Sequence, residues 1–250
     1  MLGTERKING YALEICSNSS FSALQAQLGG ASRVELCQNL ENGGTTPSYG
    51  QIRSTRKLLD IGIHVLIRPR AGDFVYTAEE FEEIKEYIRF CKEVGCDGVV
   101  IGVLHSDGSV DKERCAELVA LAKPLTAVFH RAFDRCKDPL ASLETIISLG
   151  FDRILTSGLA LTAEAGKELL TTLIEKAAGR IEVMPGSGVN EGNIVGLLKE
   201  TGAQSIHSSA KVTVASTMQY DVLPSMGMNE ATMQTSKLLV EELVGRIEQI

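Results

Sequence analysis

The sequence predicts an α/β protein folded as one (β/α)8 TIM barrel. Its length of 250 residues is typical of a complete barrel of this kind. Short β-branched runs alternate with amphipathic stretches from end to end, with no linker between them, which points to a parallel sheet wrapped by helices. An open doubly wound sheet is the alternative, but the glycine-rich phosphate fingerprint usual after its first strand is missing. The barrel is expected to span 1–250, with an N-terminal arm over 1–9 and a long loop over 209–229 before the last helix.

In chain order, the strand candidates are YALEIC (11–16), SRVELC (32–37), HVLIRP (64–69) and GVVIGV (98–103). LTAVFH (125–130), DRILTS (152–157), IEVMPG (181–186) and QSIHS (204–208) follow. Helices are expected near 20–28, 47–60, 78–94, 111–122, 139–149, 162–178, 190–200 and 230–249. Ser22/Gln25 and Thr77/Glu80 have capping-box spacing, and Asp138 before Pro139 suits an N-cap followed by the first helical turn. Gly29, Gly95, Gly150, Gly179 and Gly202 follow helical stretches, where a left-handed residue closes a helix at little steric cost. The stretch 209–229, with Met218, Met226 and Met228, is long for a structureless loop and reads as a cover, a surface loop or a subunit contact.

A net charge of −7 without a basic run predicts no nucleic-acid or anionic-membrane partner and leaves metals and small molecules as the expected ligands. No signal-peptide core and no run of about 20 apolar residues is present, so a cytoplasmic location is expected. The cysteines at 16, 37, 91, 96, 115 and 136 are scattered, which reads as free thiols rather than a disulfide framework.

Side chains alternate along a strand, so in a barrel one set faces the helices and the other faces inward. Leu13 and Ile15 suit the helix layer, turning Glu14 and Cys16 inward; Val34 and Leu36 do the same for Glu35 and Cys37. Val65 and Ile67 leave His64, Leu66 and Arg68 inside with Arg70 just beyond the strand, and Ala127 and Phe129 leave Thr126, Val128 and His130 inside. Glu182, Met184, Ser205 and His207 complete an unusually polar lumen. Buried carboxylates must be paired, so one outcome is a satisfied network with Glu14 and Glu35 neutralised by Arg68 or Arg70. The other is a working site, since barrel sites gather at strand C-termini.

The candidate catalytic cluster is Glu14, Glu35, Arg68, Arg70, His130, Arg131 and His207, with a histidine as acid or base and arginine holding substrate charge. His130, Arg131 and Asp134 share the segment HRAFD. Gly186, Ser187, Gly188, Ser208 and Ser209 mark a possible anion site after strands seven and eight, where barrels often bind phosphate; Gly43 and Gly44 lie in a second loop able to expose amides. Cys16 and Cys37 end adjacent parallel strands with the same orientation, so two soft thiolates meet at the mouth, suited to Cu(I) or Zn(II). The plain alternative is that both are small buried hydrophobes.

Taken together, LEIC, VELCQNLENGGTTPSYG, VLIRPRAGDFVY, FHRAFD, DRILTSG and EVMPGSGVN resemble the CutC family of copper homeostasis proteins over nearly the whole chain. The resemblance implies a (β/α)8 barrel, a cytoplasmic location, a homo-oligomer (dimer or tetramer) and copper tolerance with Cu(I) as ligand. The family's copper cysteines match Cys16 and Cys37. A copper chaperone's MxCxxC motif and His-rich tail are absent. Three functions remain open: a Cu(I)-binding protein, an enzyme acting on a small anionic or phosphorylated metabolite, and a structural role in which the polar lumen only sets specificity.

Overall fold

Alternation along each strand sorts the core into two layers. In the computed structural model, which describes residues 6–219 and 231–250, Leu13, Ile15, Val34, Leu36, Val65 and Phe129 join the helices in one large apolar core. Cys16, Cys37, Leu66, Val100, Val128, Leu155 and Met184 form a separate small cluster inside the barrel.

The strands are β1 (Ala12–Ser17), β2 (Arg33–Leu36), β3 (Gly62–Leu66), β4 (Gly98–Ile101), β5 (Thr126–Phe129), β6 (Arg153–Thr156), β7 (Glu182–Pro185) and β8 (Ser205–Ser208). They run β7-β6-β5-β4-β3-β2-β1-β8, and their ladders are parallel. Because β7 also lies beside β8, the sheet forms a nearly closed barrel. This order is the (β/α)8 arrangement and not the doubly wound one.

The surrounding helices are α1 (Ser20–Leu28), α2 (Tyr49–Leu58), α3 (Ala78–Val94), α4 (Lys112–Ala122), α5 (Pro139–Ser148), α6 (Lys167–Ala177), α7 (Ile194–Thr201) and α8 (Lys237–Glu248). Thr77 and Glu80 form the expected capping box, and Asp138 caps α5 ahead of Pro139. Ser22 does not start α1: Ser19 is the cap, accepting from the Ser22 amide, while the Ser22 hydroxyl donates to Asn18. Gly29 is right-handed. It is small for another reason, since a Cβ there would lie 2.6 Å from Val240 on α8.

Two further differences lie on the mouth side. The helix expected from 162 starts at Lys167, because Gly158 and Gly166 first bring two backbone segments together; a Cβ on Gly166 would lie 1.9 Å from the Ser157 carbonyl oxygen. The stretch 209–229, expected as a long loop before the last helix, contains β9 (Lys211–Val214), which pairs antiparallel with β10 (Thr232–Thr235). Asn18 donates to the Met233 carbonyl and the Thr235 amide to the Ser22 hydroxyl, tying this ribbon to the start of α1. Met218 is exposed, whereas Met226 and Met228 lie outside the described residues. Among the described residues no helix is long and apolar enough to cross a membrane.

Candidate functional site

Register decides which lumen groups meet. Cys16 stands opposite Glu35 across the β1/β2 ladder, and Glu14 stands opposite both Arg33 on β2 and His207 on β8. The Cys16 thiol donates to Glu35 Oε2 at 3.1 Å, and its sulfur lies 3.3 Å from that of Cys37. His207 Nδ1 is 2.9 Å from Glu14 Oε1, and its Nε2 is 3.9 Å from Glu35 Oε2. Ligand atoms of Cys16, Glu35 and His207 all lie within 4.8 Å of one another. All six cysteines are free.

Beneath this trio the lumen is a layer of ion pairs, one fully buried and one part-buried. Arg33 Nε donates to Glu14 Oε2 at 2.5 Å, with both side chains 1% exposed. Arg153 donates to Glu182 at 2.7 Å, and His64 sits between Arg153 and Glu14, 3.4 Å from each. Arg33 and Arg153 are not among the inward residues expected from the sequence, which extend only from Glu35 onward on the second strand and include none on the sixth. Parity alone would have found them, since Arg33 lies two before Glu35 and Arg153 precedes the outward Ile154.

Burial and neighbours pull these groups apart in protonation. Burial alone would raise the Glu14 carboxyl, but Arg33, with His207 and His64 hydrogen-bonded to it, holds it well below the usual carboxylate range. Burial pushes Glu35 up, and His207 only partly counters it. The contact with Cys37, then burial, keeps the Cys16 thiol well above its ordinary value. Burial opposes charge on His207, yet hydrogen bonds to Cys16 and Glu14 and the carboxylate charges raise it well above an ordinary histidine. At rest the Cys16 thiol and the His207 ring therefore keep their protons, and His207 is the donor to Glu14.

Above it opens a cavity of about 370 Å³ whose wall includes Cys16, Glu35, Arg68, His130, Arg131 and His207. Two of the candidate cluster lie elsewhere. Glu14 is beneath the cavity, paired with Arg33 instead of Arg68 or Arg70. Arg70 turns outward to Glu80 at 2.6 Å and Asp73 at 2.9 Å, because its position beyond the strand end frees it from the inward register. Cys37 is fully buried behind Cys16 and is not part of the cavity wall. Asp134 is occupied in structure: it accepts from the Ser157 amide and from Arg131, pinning HRAFD to the end of β6.

The glycine-rich loops serve the cavity differently from expectation. The Asn42 and Gly44 carbonyls accept from Arg68 Nη1 at 3.0 and 2.8 Å, so this loop turns carbonyls, not amides, toward the arginine. Gly188, Ser187, Ser208 and Ser209 line the cavity, but the Ser187 and Ser208 hydroxyls donate to the Leu161 and Val189 carbonyls. Gly186 keeps the floor open, since a Cβ there would lie 2.5 Å from Leu155 Cδ1 and 3.3 Å from His207 Cβ. Phe74 and Lys211 complete the wall and were not foreseen. Lys211 arrives on the unexpected ribbon.

Comparisons with known proteins agree with this fold. The profile of the CutC family matches residues 11–212. The chain is 50% identical over 208 residues to a family protein CutC of Chromobacterium violaceum, covering 83% of this chain and 84% of that one. It is 47% identical over 212 residues to a human copper homeostasis protein cutC homolog, covering 85% of this chain and 78% of that one. A crystal structure of CutC from Streptococcus agalactiae superposes with a TM-score of 0.76 at 35% identity, covering 80% of this chain and 98% of that one. A Pyrococcus furiosus thiamine phosphate pyrophosphorylase, at 18% identity and a TM-score of 0.60 over 96% of this chain and 97% of that one, shares the fold alone.

Proposed function

Because the chain belongs to the CutC family, we propose that it serves copper homeostasis by holding Cu(I) at the barrel mouth, in the cytoplasm. One observation carries this: Cys16, Glu35 and His207 converge within 4.8 Å, with a second thiol, Cys37, 3.3 Å behind the first. Ligand atoms 2.0–2.3 Å from one metal lie at most about 4.6 Å apart. Small rotamer shifts therefore suffice to close the trio on one ion. Thiolate and imidazole suit Cu(I), and the second sulfur favours it over harder cations. Copper here is cargo. Loading it displaces the protons that the resting thiol and imidazolium hold. Six free thiols fit a reducing compartment. A homo-oligomeric state is part of the same proposal, and sedimentation velocity decides it.

The test is an anaerobic Cu(I) titration of the reduced full chain against a competing chelator. Wild type is compared with the Cys16→Ser, Cys37→Ser double variant and with His207→Gln. Tight one-to-one binding that collapses in the double variant and weakens in His207→Gln is expected. Binding unchanged in the double variant overturns the proposal. A parallel Zn(II) titration tests the competing ion, because the Cys/His/Glu set also suits zinc. Tighter Zn(II) than Cu(I) at the same residues reassigns the cargo.

A further inference from the structure

The cavity above Cys16 is far larger than one ion requires. It encloses about 370 Å³, whereas a bound water occupies about 30 Å³ and small-molecule sites begin near about 300 Å³. Away from the metal trio, its wall is built from Arg68, Phe74 and His130, which are held to one another. The Arg68 guanidinium lies 4.9 Å from the Phe74 ring centre, and the His130 ring is also 4.9 Å from it.

Both polar members of this wall are buried with donors to spare. His130 Nδ1 accepts from the Ala132 amide at 3.2 Å, so the proton of the neutral ring sits on Nε2. That Nε2 is buried and has no partner among the described residues. Burial, and secondarily the Arg68 charge, push His130 down to about 3, so the ring stays a neutral donor throughout the physiological range. Arg68 is 6% exposed. It donates to the carbonyls of Asn42, Gly44 and Gly72 and lies beside the Tyr76 hydroxyl, while its Nε has no hydrogen-bond partner among the described residues. Buried N–H groups are rarely left without an acceptor, and carbonyl acceptors do not neutralise a guanidinium. Arg131 and Lys211 add cationic character at the rim.

We propose that this wall receives the oxyanion of a small organic molecule, a carboxylate or a phosphate ester, through His130 Nε2–H and Arg68, with the rest of the ligand lying over the Cys16, Glu35 and His207 trio. The ligand's oxygens supply the acceptor that Nε2 lacks, and the cavity's volume accommodates its carbon skeleton. The proposal does not depend on what metal the trio takes, since the two walls use different residues.

Isothermal titration calorimetry on the reduced, metal-free full chain tests it, with inorganic phosphate and malonate as probes. At least one probe is expected to saturate a single site. His130→Asn keeps an acceptor for the Ala132 amide but removes the Nε2 donor, and weakens binding about 10-fold or more with the thermal midpoint little changed. Arg68→Lys weakens it similarly. Should that variant fail to fold, His130→Asn carries the test alone. Preference for phosphate assigns a phosphate ester, and preference for malonate assigns a carboxylate. The Cys16→Ser, Cys37→Ser double variant retains anion binding, so a failed metal site and a failed anion site give different results. Absence of saturable binding for both probes at tens of millimolar, or binding undiminished in His130→Asn, overturns the proposal.

Discussion

Replacing His130 by asparagine changes the acid stability of the whole barrel by an amount that follows from one buried ring. His130 is 3% exposed, packed against Phe74, and its Nε2 offers no hydrogen bond to a protein acceptor among the described residues. Burial and Arg68 lower it from the ordinary 6.5 to about 3. The unfolded chain therefore binds a proton below 6.5 that the folded chain refuses until near 3. Stability is present above 6.5 and is lost as pH falls toward 3. At pH 4.5 the loss from this one group is about 2.7 kcal/mol, taking 1.36 kcal/mol per pKa unit. The substituted asparagine does not titrate, and its side-chain oxygen still accepts from the Ala132 amide. Urea unfolding of wild type and His130→Asn at about pH 7.5 and about pH 4.5 isolates the effect, because other acid-sensitive groups cancel between the two proteins. The variant's stability relative to wild type is expected to rise by about 2.7 kcal/mol between the two pH values. A change of less than about 0.5 kcal/mol would mean that the ring is protonated in the folded state, which would refute its burial as a neutral donor.

Other perturbations probe the lumen and its rim. Arg33→Met alone leaves the buried Glu14 carboxylate without its guanidinium and is expected to cost about 3–5 kcal/mol in urea unfolding. Adding Glu14→Gln recovers a large part of that loss, and strictly additive costs would show that the two do not form a pair. Gly166→Ala would place a Cβ 1.9 Å from the Ser157 carbonyl oxygen, where backbone must move. A loss of roughly 3 kcal/mol or more is expected by thermal or urea unfolding, and a near-neutral result would show that the Gly158/Gly166 crossing is not a close one. Gly186→Ala drives Leu155 toward the cavity and crowds the His207 side chain, so it is expected to weaken Cu(I) binding. Undiminished Cu(I) affinity in this variant would show that His207 does not hold the metal.

Much of the barrel and part of its mouth were legible in the sequence, for a definite reason. Period-two alternation in LEIC and VELC fixes which side chains share a face, and parallel register then brings Cys16, Glu35 and Cys37 together. His207 follows from the same rule on β8. Parity says nothing about a residue beyond a strand end, which is why Arg70 turned outward to Glu80. Nor does it say which ions pair across the lumen. Arg33 takes Glu14 because the two stand opposite one another in the β1/β2 ladder, a fact of register that no single strand reveals. The ribbon of β9 and β10 was visible in principle, since KVTV carries three β-branched residues in a row. The methionines nearby pointed instead to a cover, a surface loop or a subunit contact.

Protonation separates the two walls of the mouth and orders what each can accept. Arg33 and Arg153 are matched by Glu14 and Glu182 below. Above them stand a raised His207 and the Arg68 guanidinium, while burial pushes Glu35 toward its neutral form and Cys16 remains a thiol. The resting mouth is thus more positive than a chain of net charge −7 suggests. An oxyanion meets spare donors and loses little on entry, whereas a cation must first expel the protons of Cys16 and His207. Anion binding is therefore expected to survive moderate acidification that abolishes metal binding. A bound oxyanion close to the trio would in turn favour cation entry by offsetting the Arg68 charge. Cu(I) affinity measured with and without saturating phosphate or malonate checks this coupling: tighter Cu(I) with the anion present supports adjacent walls of one site, and identical affinities would mean that the two ligands do not sense each other.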